Sequence, residues 1–423
     1  MYISRIVKIQ HLQQRVVAVE HVLRKPVMLI SVKVALIEGG KFIASLSHTN
    51  LNSVMLYNQL NILCRNENNV LSLFNGIGAD ILCLSEQIII SPDSEIKNEC
   101  DKKLDFLIRN IEECKLVNFS DGIIGLLFLL IYLEKHGLII TETGFYDEFD
   151  DIIKHFIDYS YHIGNYDLLN GMLGAGVYYL EVTELFTEKV HILQNIIGKL
   201  KHLMVNNTYW RYTMEDINTS NKDVVNLGFL HGIPSILSFF MTCKQRGILN
   251  LPDIELIYGM LKNFIKYQID FKKNSYPNYV FYDKNMQLVV PNQETRLGYC
   301  YGDLGIIAMY LKAYKTFEDK YFFNIAKQMF EKIANRIIYE NISNDYFCHG
   351  ISSVFYFVNQ FNGLISSLNE HLFDSLKKDL YNRLISVDFN LRSGGILTGY
   401  HGIFLSLLSP TRSVALEKIL LLK

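Results

Sequence analysis

Three residues of this 423-residue chain form a set whose types could do chemistry together: Cys300, Cys348 and His349. Each cysteine stands two places before a glycine, in Cys300-Tyr-Gly302 and Cys348-His-Gly350, although 48 residues separate them. Two thiolates and an imidazole are soft-to-borderline ligands and suit a tetrahedral zinc ion. Three protein ligands leave the fourth position open, as at a catalytic rather than a structural zinc. No further cysteine stands at an equivalent offset. Zinc held this way lowers the pKa of whatever it binds, and a bound thiol becomes a thiolate. For a Cys-His dipeptide alone the plainer reading is a buried free cysteine beside a surface histidine. The shared offset is what favours the metal.

That offset belongs to a repeat. Seven segments share a glycine followed by a helical apolar run, marked by Gly76, Gly122, Gly171, Gly232, Gly302, Gly350 and Gly402, at gaps of 46 to 70 residues. A unit near 50 residues holds two helices and two turns. The runs after the glycines are apolar nearly all round, as in Ile123-Ile-Gly-Leu-Leu, which marks helices buried on most faces. The segments between, such as Leu104–Leu116 and Tyr321–Ile338, mix charges with apolar positions at helical spacing. An inner buried helix alternating with an outer amphipathic one makes an all-α, α/α repeat; periodicity does not decide between an open solenoid and a closed ring. For most of the glycines packing is reason enough. The residues just before them are Asn75, Asp121, Asn170, His231, Tyr301, His349 and His401, so three of the twelve histidines share one offset. Equal offsets in adjacent repeats put side chains at the same end of the stack, where Cys300, Cys348 and His349 can converge.

The two longest gaps hold insertions, about 203–226 and 268–296, whose turn residues beside aromatic and β-branched runs suit loops or short strands. Residues 1–60 lack the glycine signature and are assigned to an N-terminal segment with the first outer helices; 61–423 are the repeat domain. The 41 Lys+Arg against 43 Asp+Glu exclude a general nucleic-acid binder. Seven scattered cysteines do not make a stapled secreted scaffold. The N-terminal residues build no uninterrupted apolar stretch, so no signal peptide is expected. The longest apolar run, Gly122 to Tyr132, is too short to span a bilayer. The expected compartment is the reducing cytoplasm.

Taken together, Arg296-Leu-Gly-Tyr-Cys300-Tyr-Gly302, Cys348-His349-Gly350, Gly228-Phe-Leu-His231-Gly232 and Tyr166-Asp167-Leu-Leu-Asn-Gly171 resemble the signature blocks of the lanthipeptide (lantibiotic) cyclases, the LanC family. The resemblance runs from about Leu71 to Leu408. It implies an α/α toroid of seven inner and seven outer helices, with a small α/β extension placed in the two insertions. It implies one zinc ion, with Cys300, Cys348 and His349 as ligands. The implied reaction adds a substrate Cys thiolate to dehydroalanine or dehydrobutyrine, giving a lanthionine or methyllanthionine thioether ring. His231 matches the family's acid/base histidine, and Asp167 the aspartate that would orient it. Arg296 matches an arginine that would hold Asp167 or steady the enolate, and Tyr301 would line the pocket or donate a hydrogen bond. Implied partners are a precursor peptide with its leader, a separate dehydratase and an exporter, with a peripheral position at the inner membrane face as the alternative to a free cytoplasmic one.

Two departures stand out. Tyr299 precedes Cys300 where Trp is common, and His401 stands in a repeat where no histidine is expected. In a closed ring His401 is expected on the rim of His349, as a second proton donor or a substrate contact.

Competing readings are weaker. A prenyltransferase-type zinc toroid needs a basic cluster for a lipid diphosphate, and Arg296 alone is too little. A sugar-cleaving α/α barrel needs paired rim carboxylates, and only Asp121 stands directly before a repeat glycine. A LanC-like toroid that binds peptide or glutathione without cyclising is the alternative of a different class.

Overall fold

A computed structural model describes Arg65 and residues 68–213, 222–269, 274–339, 342, 344–361, 370–387, 393–408 and 415–422. The N-terminal segment 1–60 lies outside the described residues. The helices follow in pairs: α1 (Ile77–Ile90) and α2 (Ser94–Asn110), α3 (Ile123–Lys135) and α4 (Asp150–His162), α5 (Met172–Val182) and α6 (Val190–His202), α7 (Ile233–Gln245) and α8 (Leu251–Asn263). Then come α9 (Asp303–Phe317) and α10 (Lys320–Tyr339), α11 (Ile351–Gln360) and α12 (Glu370–Ile385), α13 (Tyr400–Leu408) and α14 (Ala415–Ile419).

The odd-numbered helices begin at the marker glycines and are buried almost throughout. In α3 every residue from Ile123 to Leu133 is buried, as its all-round apolar sequence requires. The long outer helices bury one stripe. In α10, Phe322, Ala326, Met329, Phe330, Ile333 and Ile337 recur at helical spacing and face inward.

Contacts between inner helices run α1–α3–α5–α7–α9–α11–α13 and return from α13 to α1. The ring is therefore closed. The turns before the helices are stitched into a matching circle of backbone hydrogen bonds. Phe74 N–H donates to Ser120 O (3.0 Å), Ser120 N–H to Leu169 O (3.0 Å) and Leu168 N–H to Leu230 O (3.3 Å). Phe229 N–H donates to Cys300 O (2.7 Å), and Cys300 N–H to Cys348 O (3.2 Å). Cys348 N–H to Leu397 O (2.9 Å) and Ile396 N–H to Phe74 O (2.8 Å) complete it.

This circle corrects the register of the seventh repeat. In the first six repeats the accepting carbonyl lies two residues before the marker glycine; in the seventh it is Leu397, so the marker is Gly399, not Gly402. Helix α13 accordingly starts at Tyr400. Gly402 instead matches Gly125, Gly174 and Gly305, three residues after their markers. The rim position of the seventh repeat is held by Thr398, which is exposed.

Among the described residues five short strands complete the fold. β1 (Met204–Val205) and β2 (Tyr209–Trp210) form a hairpin after α6. β3 (Asp223–Asn226), β4 (Tyr279–Tyr282) and β5 (Leu288–Val289) form an antiparallel sheet in that order, with Asn226 opposite Tyr279. The molecule is an all-α toroid with a small extension. Among the described residues no helix is long and apolar enough to cross a membrane.

Candidate active site on the glycine rim

The residues directly before the seven markers are exposed or half-buried, while the apolar core begins just below them. This end of the ring is lined by Asn75, Asp121, Asn170, His231, Tyr301, His349 and Thr398. From Asn75 to Asn170 the lining is a polar chain. Asn75 donates to Asp121 (2.9 Å), and Ser120 donates to Asp121 (2.8 Å) and lies 3.2 Å from the amide oxygen of Asn170.

His231 and Asp167 are brought together as expected. Asp167 is buried, and its Oδ1 accepts the N–H groups of Leu169 (2.8 Å) and Asn170 (2.9 Å). Its Oδ2 lies 2.5 Å from His231 Nδ1. The backbone bonds fix the carboxylate, and the carboxylate in turn fixes the imidazole with its hydrogen on Nδ1. The His231 side chain is 25% exposed, so the ring borders the rim.

Tyr301 joins them, its ring centroid 5.9 Å from that of His231. Two residues not expected from sequence hold it. Asn226 Nδ2 donates to the Tyr301 hydroxyl (3.0 Å), and the Tyr279 hydroxyl lies 2.7 Å from it. Both come from facing ends of β3 and β4, so the sheet anchors a rim residue. Gly228 makes the approach possible: a Cβ there would lie 2.6 Å from two ring carbons of Tyr301. Pairing of strands far apart in sequence leaves no periodic signal, so only the turn residues around these strands hinted at them.

Cys300 and Cys348 also converge, with Cα atoms 5.5 Å apart, and their sulfurs are joined to each other as a disulfide. His349 follows directly and packs closely against Gly298, whose absent Cβ would lie 3.0 Å from that of His349. Burial, and then the positive charge of Arg296, hold the His349 imidazole below its ordinary pKa. Arg296 is exposed and makes no ion pair with Asp167; its field is felt at His349 instead. Two adjoining sulfurs, the second followed in sequence by an imidazole, have the donor types that suit zinc. Among the described residues, however, no group of three His, Cys, Asp or Glu side chains stands ready to hold a metal ion.

His401 is corrected outright. It is fully buried; Nε2 lies 2.6 Å from buried Asp80, and Nδ1 accepts from Gly395 N–H (2.8 Å). Lys103 completes the cluster 3.0 Å from Asp80. A residue two places into α13 points between helices, not onto the rim. The spacing shared by Gly399 and Gly402 with the Gly-x-x-Gly pairs of three other repeats is the signal that would have placed it.

Comparisons with known proteins agree with this fold. The nisin biosynthesis protein NisC of Lactococcus lactis subsp. lactis is 22% identical over 367 residues, covering 80% of this chain and 84% of that protein. The solved structure of nisin cyclase superposes with a TM-score of 0.69 at 18% identity, covering 88% of this chain and 96% of that one. The family of lanthionine synthetase C-like proteins matches residues 63–421, which takes in the whole described ring up to Leu421. With the signature blocks on one rim of a closed helical ring and the family's pattern running through nearly all of it, the chain belongs to the lanthionine synthetase C-like family.

Proposed function

We propose that the chain is a zinc-dependent peptide cyclase that forms lanthionine and methyllanthionine rings in a dehydrated precursor peptide. The observation that carries this is the meeting of two sulfurs from adjacent repeats on the same rim as the hydrogen-bonded pair His231–Asp167. Cys300 and Cys348, once reduced, would hold the metal with His349. Zinc there would keep a substrate cysteine as its thiolate near neutral pH, where a free thiol of pKa ~8.5 is mostly protonated.

The chain's own groups handle the rest. The substrate sulfur adds to the β-carbon of dehydroalanine or dehydrobutyrine, so a C–S bond forms as the C=C π bond opens. Its electron pair moves onto the α-carbon and the neighbouring carbonyl as an enolate. A proton delivered to the α-carbon from His231 Nε2 completes the addition, and nothing leaves. Asp167 keeps the opposite nitrogen engaged, which orients Nε2 and stabilises the imidazolium before it donates. The fixed hydroxyl of Tyr301 donates toward the peptide, and Arg296 adds a positive field that favours the enolate. The partners expected are the precursor with its leader, a dehydratase that makes the alkenes and an exporter, with the reaction in the cytoplasm.

A second reading is a toroid that binds peptide or glutathione without closing rings. Metal analysis under reducing conditions separates the two. About one zinc per wild-type chain, lost in Cys300→Ala and in Cys348→Ala, supports the cyclase. A folded, reduced and metal-replete chain without zinc supports the second reading.

A further inference from the structure

Residues 415–422 occupy the end of the ring opposite the glycine turns. Lys418 lies 2.5 Å from Glu181, in the last turn of α5. Glu181 also takes Lys135 from the end of α3 (2.6 Å) and Arg246 from just past α7 (3.0 Å). These are C-terminal helix ends, whereas the rim lies at the N-terminal ends. Farther along, the segment reaches toward the rim. Leu421 O accepts from Lys312 of α9 (2.9 Å), and Leu420 O accepts from the hydroxyl of Tyr299 (2.8 Å). Glu417 and Leu422 border a cavity of about 290 Å³ together with Tyr356 and Phe357 of α11. A segment lying in a groove between two neighbouring helices would reach only those two. One that meets α5 and α9 and borders α11 lies on the axis of the ring.

We propose that this segment is an internal stopper that positions Cys300, acting through the buried hydroxyl of Tyr299, the residue covalently next to it. This rests on the reading of Cys300 as a site residue. Tyr299 is fully buried among Phe229, Phe347 and Phe357, so its hydroxyl needs the acceptor that Leu420 supplies. Lys312, fully enclosed, donates to Thr242 (2.7 Å) as well as to Leu421. Burial pushes its amine down to about 7, so the charge is easily lost where two oxygens hold the group in place. Tyr299 and Lys312 are thus positioning residues: Lys312 holds the segment, and Tyr299 links it to the Cys300 turn.

The test measures alkylation of individual cysteines by iodoacetamide in the reduced, chelator-treated full chain, resolved by mass spectrometry. Wild type is compared with Tyr299→Phe and Lys312→Met. Cys300 is expected to react roughly five- to tenfold faster in both variants, the opening that loss of one buried hydrogen bond allows. Cys83, buried in α1 with its sulfur against His401 O of α13, is expected to keep its rate. Wild-type rates at Cys300 in both variants overturn the proposal. So does an equal rise at Cys300 and Cys83, which is general loosening. The readout needs no metal, so a chain that binds no zinc defeats the cyclase reading without touching this result.

Discussion

At the residue scale the site turns on one fixed imidazole. Asp167 is held by two backbone N–H groups and spends its other oxygen on His231, so the tautomer is set before any substrate arrives. Asp167→Asn keeps an acceptor for the backbone but removes the charge and turns an amide toward Nδ1. The expected outcome is a fall of about 10²-fold in the rate at which substrate thiols disappear, with bound zinc unchanged. Thiol titration alongside metal analysis checks both halves. His231 and Asp167 were legible in the sequence because each lies in a short block beside a marker glycine. Asn226 and Tyr279 were not, because their bonds to Tyr301 depend on strands that pair across more than 50 residues. Arg296 was expected to hold Asp167 or to steady the enolate; it makes no ion pair with Asp167, and its charge is felt at His349.

At the element scale the turn before each inner helix is the working unit. Seven such turns bond in a circle, and most of the proposed site residues lie in them. The sequence showed the inner helices because a run apolar on every face has only one stable place, inside the ring. It misread the seventh turn because Tyr400-His401-Gly402 imitates the His-Gly pairs of other repeats, and only hydrogen bonding separates marker from packing glycine. Helix α9 supports a pH prediction. Burial lowers the Lys312 pKa from 10.5 to about 7, so between those values the unfolded chain binds more protons than the folded one. Stability from this group therefore rises as pH increases from about 7 toward about 10.5. Thermal melts across that range should show the rise in wild type and a flatter curve in Lys312→Met; parallel curves would mean the amine does not titrate as its burial requires.

At the scale of the whole molecule, closure of the ring decides where everything else can be. The first and seventh inner helices meet at Asp80 and His401, both fully buried, with Lys103 completing the charge balance. Removing one member leaves a buried group without its partner. His401→Ala is expected to cost about 2–4 kcal/mol of stability, read as a lower urea midpoint. The rate of ring closure per folded chain should stay as in wild type; a selective loss of rate would return His401 to the active site. The proposed reaction is closure of thioethers by this ring through a metal held by two neighbouring turns. The most direct measurement is a count of free thiols in a peptide carrying one dehydrobutyrine and one cysteine, incubated with zinc and the reduced chain. Wild type should consume the thiol with the peptide mass unchanged, while Cys348→Ala leaves it at the uncatalysed rate. Equal thiol loss in wild type, Cys348→Ala and a reaction without protein would mean that the chain does not close thioether rings.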